Sequence, residues 1–219
     1  MKNMTVTEKK KITQDWKEAL GVYEIYKPLH LIKRNGPILC GVYLQPIHSG
    51  ERYVPIFHTH SLMSPFPAIS LCSPTVLLNE KARDSISFSR HKTKFQEIIA
   101  AFQAQCPSAF IETLSVKILN RIYKEHVNIA TDYPAYAMRD DVLVSTWCCK
   151  NTASNELILK YKEIIKIWPD SAKQRFNGED GWEMDVRSQM DIENLRSTVN
   201  KELEKFKLTT LKDCGLLCE

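Results

Sequence analysis

Glycine is scarce in this sequence, which has seven glycines among 219 residues. Loops that cradle phosphate groups, in dinucleotide-binding and P-loop proteins alike, need several glycines at fixed spacing. The sequence also contains no Gly-x-Ser-x-Gly segment, the nucleophile elbow of many serine hydrolases. These absences argue against nucleotide-driven chemistry and against a serine nucleophile of that class.

Long apolar runs are absent as well. No run approaches the roughly 20 apolar residues that a helix needs to cross a bilayer. Residues 1–11 have no apolar core of the kind that a secretory signal requires. With 43% hydrophobic and 26% charged residues, the composition is that of an ordinary globular protein. We therefore expect a cytoplasmic protein that does not bind membranes.

The seven cysteines form no recognisable metal-binding or disulfide pattern. Cys40 follows two apolar residues, and a free cysteine in such a setting behaves as a small buried hydrophobe. The adjacent Cys148 and Cys149 make a poor chelate, and Cys214 and Cys218 lie four apart without a second nearby pair. The sequence predicts reduced thiols and no cofactor, with zinc at a histidine pair as the alternative.

Positive charge is concentrated in the first half of the chain. Residues 1–94 hold 14 Lys and Arg against 7 Asp and Glu, whereas residues 95–219 hold 16 against 19. In one basic segment only Asp84 opposes the positive charge. Such a segment is either a solvated face or a surface for nucleic acid or an acidic partner. The residues predicted to bind there are Lys81, Arg83, Arg90, Lys92 and Lys94.

Hydrophobic periodicity predicts an α+β fold. Residues 5–20 have a helical stripe, residues 22–88 have β-texture broken by prolines, and the period is helical again after residue 90. A run of strands followed by a run of helices favours a mostly antiparallel sheet of five or six strands, packed by four or five helices mainly from the C-terminal half. We expect residues 1–90 and 91–219 to form one composite domain.

Four local features give sharper expectations. Asn35-Gly36 between two apolar runs predicts a hairpin. Pro55 cannot donate to a β-ladder, which indicates an edge strand or a bulge. Residues 140–149 are ambiguous between strand and helix, and residues 176–182 are typical of a polar turn.

His58 and His60 are the clearest chemical feature. They stand one residue apart at the end of the strand predicted over residues 52–60, so both rings lie on one face. The pair resembles the His-x-His element of metallohydrolases, and most closely that of zinc-dependent deubiquitinase-like metalloproteases. In that family a proline follows the pair, then a serine and an aspartate ligand. Here Ser61, Ala68 and Leu71 occupy those positions, so the aspartate ligand is missing.

A zinc site would need a third protein ligand. His30, His48 and His91 are the remaining choices, and no spacing selects among them. The other interpretation is a strand-end pair, with one ring packed and the other at the rim of the sheet.

The last predicted helix has an apolar stripe from Ile192 to Phe206, flanked by charged residues that are predicted to contact a protein partner. They are Arg196, Lys201 and Lys205.

Together these features favour a non-catalytic accessory or adaptor subunit that binds a protein partner within a larger assembly. A complex that handles nucleic acid, such as an antiviral-defence complex, would explain the basic segment. The alternative is a divalent-metal-dependent hydrolase that uses His58 and His60.

Overall fold

The computed structural model of the chain describes residues 4–80 and 82–219. These residues form two units. Unit 1 takes its described residues from Met1–His60, Ser70–Thr113 and Leu211–Gly215, and unit 2 consists of Ser61–Ile69, Leu114–Thr210 and Leu216–Glu219. The division at residues 90 and 91, and the composite domain, stay predictions.

Unit 1 is built on an antiparallel sheet. The strands are β1 (Glu24–Lys27), β2 (His30–Asn35), β3 (Ile38–Ile47), β4 (Arg52–Ser61), β5 (Cys72–Val76) and β6 (Ile86–Ser87). Five of them lie side by side in the order β1-β2-β3-β4-β5, and β6 pairs with β4. The predicted α+β class and the predicted sheet are confirmed.

The predicted hairpin joins β2 and β3, but its turn is shifted by one residue. Asn35 pairs with Ile38, so the two central residues of the turn are Gly36 and Pro37. Gly36 has a φ of 60°, which a glycine at the first central position of a hairpin turn adopts without steric cost.

Of the two alternatives predicted from Pro55, the edge position is wrong, because β4 lies between β3 and β5. The register of β4 against β5 does shift, between Phe57 and Thr59. The start of β4 pairs with β6 at Tyr53, and β4 pairs with β5 from Ile56 onwards. Pro55 lies between these two ladders, and its carbonyl accepts a hydrogen bond from the Leu77 amide. The strand thus accommodates a residue without an N–H group in the interior of the sheet.

Two long helices complete unit 1: α1 (Val6–Leu20) and α2 (Phe88–Gln105). Thr5 and Glu8 form a capping box that satisfies backbone donors at the start of α1. The predicted stripe of α1 is buried, and the Trp16 ring lies 5.3 Å from the Phe102 ring, centre to centre.

Unit 2 is mainly helical, and the segment left open over residues 140–149 belongs largely to one of its helices. Among the described residues, no helix combines the length and the apolar character that a membrane span requires. The helices are α3 (Val116–Ile129), α4 (Ala135–Trp147), α5 (Asn151–Lys166), α6 (Asp170–Lys173), α7 (Gly178–Ser188) and α8 (Ile192–Lys205). The strands β7 (Leu114–Ser115) and β8 (Leu216–Leu217) pair in parallel.

Two expectations for unit 2 are wrong. Residues 176–182 do not form a polar turn throughout, because α7 begins at Gly178. Glu179 and Asp180 lie in its first turn, where negative charge stabilises the helix start. The expectation of reduced thiols fails at Cys148 and Cys218, which form a disulfide across a separation of 70 residues. Sequence spacing gives no sign of such a distant pair.

Candidate functional site

His58 and His60 are both buried in β4, with 0% and 1% of their surface exposed. A rim position for one of them is therefore wrong. The reason is that β4 is an interior strand whose residues from Tyr53 to Ser61 are all buried.

Gly41 makes room for the His58 ring. It lies on β3, the strand next to β4. A Cβ atom at this position would lie 2.1 Å from Nε2 of His58, far closer than two such atoms can approach. The imidazole therefore occupies the volume that any other side chain at residue 41 would need.

His58 meets His30, which reaches over from β2. Their Nε2 atoms are 2.9 Å apart, a hydrogen-bond distance. Burial, with a smaller effect from the charge of Lys27, lowers the pKa of His30 to about 4. Burial, with a smaller effect from His30, lowers the pKa of His58 to about 3. Both rings are therefore neutral near pH 7, and one donates its proton to the lone pair of the other.

His60 is engaged elsewhere. Its Nδ1 accepts a hydrogen bond from the Ser70 amide at 3.1 Å and lies 2.9 Å from the Ser70 hydroxyl. The structure thus brings His30, and not His60, to His58. Among the described residues, no three His, Cys, Asp or Glu side chains are grouped closely enough to hold a metal ion.

His91 belongs to a different buried network. Its Nε2 lies 3.0 Å from Asp15 Oδ2, and its Nδ1 lies 2.7 Å from the Tyr53 hydroxyl, which also accepts from the Trp16 indole. An Asp-His-hydroxyl order resembles a catalytic relay. Tyr53 is fully buried, however, so no substrate reaches its oxygen. The network links α1, α2 and β4.

The predicted basic segment is partly neutralised. Lys81 lies outside the described residues. Arg90 forms a two-pronged ion pair with Asp84, with distances of 2.5 and 2.8 Å. Lys94 pairs with Glu97 at 3.0 Å. The charge of Arg90 is therefore directed at a buried carboxylate of the same unit rather than at solvent.

Arg83, Lys92 and Lys94 are the exposed cations among the described residues of this segment, and of these Arg83 and Lys92 form no ion pair there. The Lys92 ammonium lies 4.4 Å from the centre of the Phe88 ring. Two such charges make a smaller basic surface than the five predicted residues would make.

The predicted partner surface on α8 is charged but lacks an accessible apolar stripe. Leu195, Val199 and Leu203 are buried within unit 2. Arg196 pairs with Glu193, Lys205 pairs with Glu202, and Lys201 is exposed.

A surface that sequence reasoning missed lies on the outer side of α5 and α7. Leu159 is 61% exposed and Met184 is 72% exposed. Polar contacts between the two helices run beside them: Lys162 pairs with Glu183 at 2.5 Å and with Asp180 at 2.8 Å, and Arg187 pairs with Glu183 at 2.7 Å and donates to Asn155 at 2.8 Å. We call this surface the α5–α7 face; it consists of Asn155, Leu159, Lys162, Glu183, Met184 and Arg187.

No protein-family model, curated protein or solved structure matches this chain. Function therefore rests on the side chains described above. Leu159 falls outside the buried stripe of α5, and that offset is a signal that sequence alone could offer. No helix is predicted over α7, so no such offset marks Met184.

Proposed function

We propose that this chain is a non-catalytic accessory or adaptor subunit that binds a protein partner through the α5–α7 face. The observation that carries the proposal is the exposure of Leu159 and Met184 beside an interhelical network of ion pairs. Contiguous apolar patches rimmed by polar groups are typical of protein-binding surfaces, and we propose that Leu159 and Met184 belong to one such patch.

The ion pairs support the proposal because they fix the positions of the apolar residues. Leu159 is one helical turn from both Asn155 and Lys162, which contact α7. Met184 directly follows Glu183, which pairs with Lys162 of α5. It precedes by three residues Arg187, which pairs with Glu183. A surface held in place before binding loses less conformational entropy when the partner arrives.

The histidines support the non-catalytic part. The His58 ring is buried and hydrogen-bonded to His30, and His60 is hydrogen-bonded to Ser70. These contacts are typical of side chains that stabilise a sheet.

The basic segment favours a protein partner over direct nucleic-acid contact. Binding to phosphates requires several cations whose charge is free. Arg90 and Lys94 have intramolecular carboxylate partners. We propose that any association with nucleic acid comes through the other subunits of the assembly.

Site-specific photo-crosslinking tests this proposal. A benzophenone amino acid is placed at Met184 and, as a matched control, at Ile129, which is 74% exposed on α3 of the same unit. In the cells of origin, we expect the Met184 variant to form a discrete crosslinked product with one protein. The Ile129 variant should not form this product.

A Leu159→Asp, Met184→Asp double variant completes the test. Charged side chains at both positions would prevent burial of the apolar surface, so the same partner should no longer co-purify. Ile129→Asp should leave co-purification unchanged. A partner that binds the double variant as tightly as the wild type would contradict the proposal.

The hydrolase remains a second candidate because of one distance. Two neutral imidazole nitrogens 2.9 Å apart would supply two ligands of a metal ion after a small separation of the rings, and the described residues group no third ligand with them. We propose His30 and His58, rather than His58 and His60, as the ligands of such a site. Elemental analysis tests it: one zinc per chain, lost in His30→Ala and in His58→Ala but kept in His48→Ala, would favour the hydrolase. A metal-free folded wild type would exclude this zinc site.

A further inference from the structure

A cleft lies in unit 2, between α4, α7, α8 and the segment 63–65. Its volume is about 260 Å³. Drug-sized ligands occupy pockets of roughly 300 to 1,000 Å³, so this cleft suits a smaller molecule. The residues that line it are Met63, Ser64, Pro65, Arg139, Asp185, Ser188, Gln189, Asn194, Leu195 and Thr198.

Arg139 is the one cation of the cleft, and its charge is poorly compensated. Its side chain is 15% exposed, and its hydrogen bond among the described residues is a long one of 3.5 Å to Asp140. Nε of Arg139 is buried and has no hydrogen-bond partner there. A guanidinium has five N–H donors, and burial without acceptors is costly. The one ion pair of this arginine among the described residues is therefore the long contact with Asp140.

Asp140 balances the Arg139 charge through that single long contact. Burial raises the pKa of Asp140 to about 6, so its carboxyl group is still mostly ionised at pH 7. The Arg139 guanidinium also lies 5.1 Å from the Tyr136 ring, which stabilises positive charge weakly. Neither contact gives the two-pronged pairing with a carboxylate that arginine geometry favours.

Asp185 gives the cleft an opposite charge. It is exposed, and among the described residues it forms no ion pair with Lys or Arg. One of its carboxylate oxygens accepts from the Gln189 amide at 3.1 Å. The side-chain oxygen of Gln189 accepts a hydrogen bond from the Ser64 hydroxyl at 2.8 Å. Gln189 therefore links Asp185 to Ser64 along one wall of the cleft. The lining thus presents one cation, whose ion pair with Asp140 is long, and one anion that forms no ion pair among the described residues.

We propose that this cleft binds a free amino acid, with the ligand's carboxylate on Arg139 and its ammonium group on Asp185. A zwitterion carries one charge complementary to each of these two side chains, and a small amino acid is within the volume of the cleft. Inorganic phosphate, a multiply charged anion without a cationic group, would be repelled by Asp185 and by the ionised fraction of Asp140. This site is independent of the α5–α7 face.

Titration calorimetry with the twenty L-amino acids tests the proposal. We expect at least one to bind with a Kd of millimolar or tighter, and the carboxamide of that amino acid, which lacks the negative charge, to bind about 10-fold more weakly or worse. Arg139→Gln should weaken binding by a similar factor. Arg139→Lys should bind more tightly than Arg139→Gln but less tightly than the wild type. Lysine keeps the positive charge but lacks the planar group that binds a carboxylate through two N–H donors. Arg196→Gln, which removes a paired surface arginine of α8, is the control and should have no effect.

Asp185→Asn gives a second, independent measurement, because it changes an exposed residue and should leave folding intact. It should weaken binding of the amino acid but not of its deamino analogue, which has no ammonium group. The proposal is overturned if no amino acid binds at 10 mM, on the order of the weakest specific affinities. It is also overturned if the carboxamide binds as well as the acid, if inorganic phosphate binds more tightly, or if the best ligand is insensitive to both variants.

Discussion

Gly41 is the residue on which the contact between His30 and His58 depends. In Gly41→Ala the new Cβ would lie 2.1 Å from His58 Nε2 and 2.4 Å from its Cε1. The ring is fully buried, so it has no open space to enter. We expect the free energy of unfolding to fall by about 1 to 3 kcal/mol, the usual cost of overpacking a core. Urea denaturation followed by circular dichroism measures this loss.

The double variant Gly41→Ala, His58→Ala provides the control for that prediction. When the ring is absent, the added methyl group fills space that the histidine has left. The cost of Gly41→Ala should then be much smaller than in the wild type. Equal costs in both backgrounds would mean that the glycine is needed for another reason.

The buried imidazoles also predict a pH dependence of stability. The pKa of His58 is lowered to about 3 in the folded state from an ordinary value of 6.5, so the unfolded chain binds the proton more readily. Stability from this residue is present above pH 6.5 and is lost as the pH falls towards 3. His58→Gln has no such titration. The stability of the wild type relative to this variant should therefore decrease between pH 7 and pH 4 in urea titrations, and a constant difference would refute the effect.

At the scale of residues, the sequence predicts which chemistry is available but not which atoms meet. Strand alternation predicts that His58 and His60 share a face, whereas the pairing of β4 with β5 shifts register between Phe57 and Thr59, and the partners of both histidines come from elsewhere in the chain. His30 lies 28 residues before His58, and the Asp15 partner of His91 lies 76 residues before it. Such pairings follow from the register of the sheet and the packing of helices, which local patterns do not contain.

Helix α4 explains why residues 140–149 were ambiguous. Most of its residues are buried, including both Asp140 and Asp141, so it has no polar face to give a 3.6-residue period. In contrast, α1 and α2 have one buried face each, and their predicted stripes match the structure. Periodicity thus identifies helices that border solvent and fails for helices that are enclosed.

Asp141 makes α4 sensitive to pH in the direction opposite to His58. Burial raises the pKa of Asp141 to about 7 from an ordinary value of 3.8, even though Tyr161 donates a hydrogen bond to it at 2.5 Å. The folded chain holds this proton between those pH values and the unfolded chain does not. Stability therefore falls as the pH rises from about 4 to 7. We expect Asp141→Asn to be more stable than the wild type at pH 8 by about 1 to 3 kcal/mol.

At pH 4, where the carboxyl of Asp141 is protonated in the fold, the gain from Asp141→Asn should vanish. Thermal unfolding of both proteins across this range measures it. Asp170→Asn is the matched control, because the Asp170 side chain is 93% exposed and should show no pH-dependent gain. A gain for Asp141→Asn that is independent of pH would contradict the assignment.

At the scale of the whole molecule, the disulfide between Cys148 and Cys218 closes a loop of 70 residues. Closing a loop of this length reduces the entropy of the unfolded chain by an amount worth about 4 kcal/mol. Cys148→Ser, or a reducing agent, should therefore lower the stability of unit 2 markedly. Cys149→Ser changes a free exposed cysteine and should not. Denaturation with and without a dithiol reductant measures the difference, which should disappear in Cys148→Ser.

The layout of the whole chain was only partly predictable. The change from β-texture to helical period near residue 90 correctly gave the α+β class. The chain nevertheless passes between the two units at residues 60 and 69, again at 113, and twice more after residue 210. Short segments such as 61–69 and 211–215 are too brief to have a period of their own, so sequence patterns assign them to neither unit.

These crossings also affect the order of events during protein synthesis. Domains made of one continuous segment fold while later residues are still being added. Here unit 1 includes Leu211–Gly215, and unit 2 includes the strand β8 that pairs with β7 from a hundred residues earlier. A ribosome that pauses at residue 200 would therefore hold two units that each still lack part of their chain.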